Sequence, residues 1–87
     1  MMVEVYAIKS EINGDIYVGM ARNADRRLKE HNNGKNRYTK GLKPWAIITV
    51  ESFPDWASAR TREKYLKSGI GKEFLKSIDA DQPNPNK

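Results

Sequence analysis

The chain has 87 residues and no cysteine, so it reads as one domain near the lower size at which a single core holds without staples, and it excludes disulfide frameworks and thiolate metal sites. No apolar run reaches the roughly 18 residues that span a bilayer, and Met1-Met2-Val3-Glu4 does not read as a signal peptide; the expectation is a soluble, cytoplasmic protein with no membrane role. The net charge of +5 is unevenly spread: Arg22, Arg26, Arg27, Lys29, Lys35, Arg37, Lys40 and Lys43 stand against only Asp25 and Glu30. With Tyr38 interleaved, that segment fits a surface meeting nucleic-acid phosphates, the plain alternative being a solvated basic loop.

Val3 to Lys9 alternates in the period of a strand, and Asn13-Gly14 follows as a two-residue hairpin turn leading into a second strand, Ile16 to Gly19. That turn pairs Ser10 with Tyr17 and Ile8 with Gly19, which puts Tyr6, Ile8, Ser10, Tyr17 and Gly19 on one face. In this register Tyr6 lies four residues along the strand from the partner of Tyr17, about 13 Å at roughly 3.3 Å per residue. Asn23 caps a helix from about Ala24 to Asn32 that Gly34 ends, with Ala24, Arg27, Leu28 and His31 on its inward stripe and Arg26 solvated. Asn32 to Pro44 reads as a basic loop.

Trp45 to Glu51 is a third strand, apolar enough at Ile47, Ile48 and Val50 to be central. Asp55 caps a helix running to about Ser68, where Gly69 ends it, with Trp56, Ala59, Glu63 and Leu66 on one stripe. A glutamate in an apolar stripe needs a partner, either a cation such as Lys67 or Arg27, or a metal or catalytic role, and the two readings weigh equally on spacing alone. A short helix from Gly71 to Ile78 turns Phe74, Leu75 and Ile78 to the core. The domain spans 1–78, and Asp79 to Lys87 is expected to be a disordered tail.

Tyr6, Tyr17, Arg27, His31 and Glu63 form the candidate constellation. No cysteine nucleophile, serine motif or glycine-rich phosphate loop stands beside them, and only Glu63 among the acids is placed inward, too few for a two-metal carboxylate cluster. What these residues can build is phosphodiester hydrolysis with one hard divalent ion: Glu63 to hold Mg2+ or Mn2+, Arg27 to grip the scissile phosphate, and a tyrosine or His31 to take a proton from water.

Val5-Tyr6-Ala7, Tyr17-Val18-Gly19, Arg26 through His31 and Arg62-Glu63-Lys64-Tyr65, in that order and spacing, resemble the GIY-YIG nuclease family. The likeness is to its small single-domain members and to the N-terminal nuclease domain of the bacterial excinuclease, and it runs from about Val3 to Leu75. The resemblance implies an α+β fold, a three-stranded antiparallel sheet flanked by helices, and a metal-dependent DNA endonuclease of repair or recombination, structure-selective or weakly sequence-specific. Matched by position, Tyr6 and Tyr17 are the motif tyrosines, one of them a base or water-orienting group, while Arg27 binds phosphate, His31 is a histidine found in some branches and Glu63 binds metal.

Departures are the Val-Tyr-Ala first motif and Met20, which stands where a polar residue is often found. No targeting module is attached, so Arg22, Lys35, Arg37, Lys40 and Lys43 are expected to contact duplex or branched DNA, alone or beside a targeting partner protein. The competing readings are a catalytically inactive nucleic-acid-binding module and an interaction domain of a repair complex.

Overall fold

In the computed structural model, which describes residues 2–81, three strands form one antiparallel sheet with helices on both faces. The strands are β1 (Val3–Ser10), β2 (Ile16–Ala21) and β3 (Trp45–Phe53), and the helices are α1 (Ala24–Asn32), α2 (Arg37–Lys40), α3 (Trp56–Lys67) and α4 (Gly69–Asp81). This is the expected α+β architecture, but the strand order is β2-β1-β3. β1 is therefore central and β3 an edge strand, which corrects the placement of β3: β1 is the strand buried along both faces, while Val50 on β3 is exposed.

Parity sorts the core into two layers. Val3, Val5, Ala7, Val18 and Ile48 face Ala59 and Leu66 of α3 and Leu75 of α4. Tyr6, Ile8, Ala21 and Trp45 face the other way, against Ala24 and Leu28 of α1. α1 begins at the Asn23 cap, whose side chain accepts from Arg26 N, and the Glu4 carboxylate accepts from Ala24 N at 2.7 Å, tying the helix start to β1. Gly34, in the left-handed region at φ 75°, ends it.

The β1–β2 hairpin differs from the two-residue turn. Ile8 pairs with Tyr17 and Tyr6 with Gly19, two residues out from the expected register. Ser10 is the cause: its hydroxyl accepts from the backbone N–H groups of Ile12 and Asn13, so the loop closes around a side chain rather than across Asn13-Gly14. A slip of two keeps every side chain on its expected face but halves the separation of the tyrosines along the sheet, and their ring centroids lie 6.4 Å apart. Between β1 and β3 the register shifts at Ala7/Ile8, leaving Ile48 as the extra residue. That bulge pairs Trp45 with Ser10 and so turns the indole onto the tyrosine face.

Three further boundaries move. Asn36 accepts from Tyr38 N and Thr39 N and caps α2 inside the expected loop. α3 ends at Lys67 with Ser68 as its C-cap, close to the expected end; the Ser68 hydroxyl accepts from Gly71 N, so α4 starts at Gly69, two residues before the expected helix. A Cβ on Gly71 would lie 2.0 Å from the Tyr65 carbonyl, so the α3–α4 junction closes only on glycine. Trp56 and Phe74 are partly exposed rather than core, and Arg62 lies over the Phe74 ring at 5.3 Å while gripping Glu51. α4 continues to Asp81, and Asp79 pairs with Lys9 at 2.7 Å, so the first residues of the expected tail are helical; the remainder lies outside the described residues.

Candidate active site

Tyr6 fits against β2 only because residue 19 lacks a side chain, since a Cβ there would meet the Tyr6 hydroxyl at 2.6 Å. The phenol then reaches across to α1, where it lies 3.0 Å from His31 Nε2. His31 Nδ1 lies 2.7 Å from the Thr39 hydroxyl, and that hydroxyl donates to the Asn36 carbonyl at 3.5 Å. The tautomer that fits a Thr39 hydroxyl turned toward Asn36 carries its proton on Nδ1, and in it Nε2 accepts from the Tyr6 O–H. Tyr6, His31 and Thr39 are each almost completely buried, so this directed chain is closed to solvent along its length.

Trp45 and Asn32 hold the chain in place. The indole N–H donates to the Thr39 carbonyl at 2.9 Å, while the Asn32 side chain makes two hydrogen bonds with the backbone of Trp45. The end of α1, the short helix α2 and the start of β3 are thereby locked to one another around the imidazole.

Arg27, one turn before His31, places its guanidinium against both the Tyr6 hydroxyl and the Glu30 carboxylate. Contact with Tyr6 holds Arg27 more firmly protonated than usual, with burial working against it. Burial pushes the Tyr6 phenol above its ordinary range, and the neighbouring Arg27 offsets part of that rise. Burial also lowers the His31 pKa, and the Arg27 charge lowers it further, so the imidazole is neutral at neutral pH. The result is a cation held by one neutral phenol and one carboxylate, at the lip of a small cleft of about 150 Å³ lined by Arg27, Glu30, His31, Lys35 and Asn36.

Tyr17 is half-buried, its ring edge-on to His31 at 4.9 Å between centroids. Among the described residues its hydroxyl has no hydrogen-bond partner, which leaves it available to a water or a phosphate oxygen. Tyr6, Tyr17, Arg27 and His31 are thus brought together.

Glu63 is not part of that cluster. Its flanking stripe residues Ala59 and Leu66 pack on the opposite face of the sheet, and its carboxylate, 12% exposed, is met by Lys67 at 3.1 Å and Arg60 at 3.7 Å. The pairing with Lys67 is one of the two readings its spacing allowed; pairing with Arg27 is not found, because Arg27 meets Glu30. The expectation that Glu63 and the Arg27–tyrosine group line one cleft is therefore not met by the described contacts. Among the described residues no three His, Asp or Glu side chains cluster as a metal cage. One carboxylate suits a hard ion that keeps most of its waters and takes further ligands from a substrate phosphate, and that donor set is what Glu63 offers.

Arg22 and Lys35, both exposed, border Arg27: Lys35 lines the small cleft, and Arg22 lines a neighbouring one with Arg26, Arg27 and Glu30. Arg37 and Lys40 project from α2 and Lys43 from the turn into β3, all exposed. Met20 packs against the aliphatic layer, away from the tyrosine face, so no side chain at that position of β2 could reach a phosphate held at Arg27. Glu30, Thr39 and Asn36 belong to the site and were missed in the sequence. The spacing of Glu30 from Arg26 and Arg27 was a readable signal; nothing local marked Thr39 as a buried partner for a histidine.

A tyrosine fitted tightly against a glycine, a half-buried arginine and a buried histidine thus meet on one face of an α+β sheet. Residues 2–74 match the family model described as the GIY-YIG catalytic domain, and the chain belongs to the GIY-YIG family, a nuclease fold whose substrate is DNA. Among its relatives, a UPF0213 protein of Clostridium perfringens is 36% identical over 77 residues, covering 87% of this chain and 82% of that protein. A UPF0213 protein of Staphylococcus epidermidis is 33% identical over 75 residues, covering 85% and 90%. The solution NMR structure of a UPF0213 protein from Bacillus halodurans aligns with a TM-score of 0.56 at 32% identity, over 93% of this chain and 88% of that one.

Proposed function

We propose that the chain is a divalent-metal-dependent DNA endonuclease that hydrolyses phosphodiester bonds at structured or weakly specified sites in DNA repair or recombination. The observation that carries this reading is the Arg27 guanidinium, braced by Tyr6 and Glu30 at the mouth of a basic cleft. A braced fork loses little entropy on taking a phosphate and acts most strongly on the charge that builds on its equatorial oxygens.

The two tyrosines take different parts. Tyr6 is buried, stays protonated and points its proton at His31 Nε2, so it is the brace of Arg27. Tyr17 has the uncommitted hydroxyl and is the group that orients the attacking water and accepts its proton. Glu63 would hold Mg2+ or Mn2+, which when bound would offset phosphate charge and acidify a water. Arg22, Lys35, Arg37, Lys40 and Lys43 supply sequence-independent contacts to the DNA backbone.

The test is nicking of supercoiled plasmid and of branched DNA with Mg2+, with Mn2+ and with chelator. Metal-dependent nicking that Glu63→Gln abolishes while DNA binding persists supports the reading; binding without cleavage under every metal sinks it. One observation favours a second reading, a DNA-binding module without turnover: the Glu63 carboxylate is already met by Lys67 and Arg60. Lys67→Ala separates the two, since freeing the carboxylate raises metal-dependent nicking in a nuclease and changes nothing in a binder.

A further inference from the structure

The aromatic row at the site does not end at Tyr17. Tyr38 stands 6.0 Å beyond it between ring centroids, so the rings run from buried Tyr6 and His31 through Tyr17 to a tyrosine that is 66% exposed. The fold has no need of that ring in the open: α2 is capped by Asn36 bonding to backbone N–H groups, and its buried anchor is Thr39. Beside the ring is an open cleft of about 400 Å³ lined by Gly14, Asp15, Ile16, Tyr38, Lys72 and Lys76. It lies where the β1–β2 hairpin meets α2 from one layer and α4 from the other.

Its chemistry is mixed in a particular way. Tyr38 and Ile16 are apolar, and Asp15 brings one exposed carboxylate. Lys72 donates to the Ile16 carbonyl at 2.7 Å, which fixes its ammonium at the cleft with two donors to spare, and Lys76 adds a second cation only loosely paired with Glu73 at 3.6 Å. An aromatic surface, an acceptor for exocyclic amines and two cations are what one nucleotide needs for its base, its base edge and its phosphate. An intact duplex cannot use the ring, because its bases are stacked on each other and show only their edges in the grooves.

We propose that Tyr38, Asp15, Lys72 and Lys76 form a stacking pocket for one unpaired nucleotide next to the scissile phosphate, so that the protein selects DNA with a single-stranded segment at the cleavage point. The choice of DNA rests on the nuclease reading; the pocket does not require turnover.

The experiment is fluorescence anisotropy in chelator with two labelled substrates, a duplex carrying a short single-stranded flap and the same duplex with blunt ends. The wild-type chain binds the flap more tightly. Tyr38→Ala loses about 5- to 150-fold on the flap, the range of one lost stacking contact, and less than about twofold on the blunt duplex, while Tyr38→Phe keeps the preference. Equal affinity of the wild type for both substrates, or an equal loss on both in Tyr38→Ala, overturns the proposal. A chain that never cleaves still gives the stacking result, and a chain that cleaves without it fails only here.

Discussion

The two faces of one sheet are built by different physics. Toward α3 and α4 the contacts are aliphatic, Val3, Val5, Ala7, Val18 and Ile48 against Ala59, Leu66 and Leu75. Toward α1 and α2 the buried residues include Ser10, His31 and Thr39 beside Tyr6 and Trp45; hydrogen bonds join Tyr6, His31, Thr39 and Trp45, and the Ser10 hydroxyl bonds to the Leu42 carbonyl. The aliphatic layer is held by area removed from water, which tolerates small displacements. The tyrosine layer is held by directional bonds among buried polar groups, where each lost partner leaves an unsatisfied atom. Alternation along β1 keeps the two apart: odd residues carry stability and even residues carry the chemistry, so either can be perturbed alone.

The largest effect expected is on the aliphatic side. Leu66 is fully buried, and Leu66→Ala should cost about 2–5 kcal/mol through lost burial and the cavity left behind. In a chain of this size that lowers Tm by about 10 °C or more. Thermal unfolding followed by circular dichroism gives the shift, and at low temperature the NMR signals of Tyr17 and His31 should stay where they are. Movement of those signals would show that the layers are coupled after all.

On the tyrosine side the reverse is expected. Arg27→Ala removes a half-exposed side chain, so Tm changes little, but metal-dependent nicking should fall by about 10²–10³-fold, the usual loss when one stabilising donor is deleted. Arg27→Lys should recover little, because a point charge cannot reproduce the fork that meets Tyr6, Glu30 and a phosphate at once. Single-turnover cleavage measures both. A variant that loses stability instead of rate would mean that Arg27 holds the fold rather than the phosphate.

How much of this was written locally follows from the same contrast. Strand period, the Asn23 and Asp55 caps and the Ala24–Arg27–Leu28–His31 stripe are short-range signals, and the structure keeps all of them. The face shared by Tyr6 and Tyr17 survived a wrong hairpin register only because the slip was an even number of residues. What failed was long-range or carried by a single side chain: the Ser10 hydroxyl that sets the loop, the Ile48 bulge that turns Trp45 inward, and the central place of β1. Glu63 shows the limit most clearly, since a periodicity argument places it on an inward stripe but cannot say which face of the sheet that stripe meets.

The smallest expected effect tests the buried bond chain itself. Burial and the Arg27 charge hold the His31 pKa below the roughly 6.5 of an unfolded chain, so as pH falls the unfolded state takes up its proton first. The stability that neutral His31 contributes is complete above about pH 6.5 and is lost as pH falls through that value toward the folded pKa, with a slope of at most about 1.4 kcal/mol per pH unit for one proton. Chemical denaturation between pH 7.5 and pH 5 should show that loss, stopping short of the range where carboxylates titrate. His31→Gln, which has no proton to gain, should lack it even though its stability at pH 7.5 is lower. If the two pH profiles run parallel, His31 is not the titrating group. The neutral imidazole between Tyr6 and Thr39 would then have to be abandoned as the bond that binds α1 to the sheet.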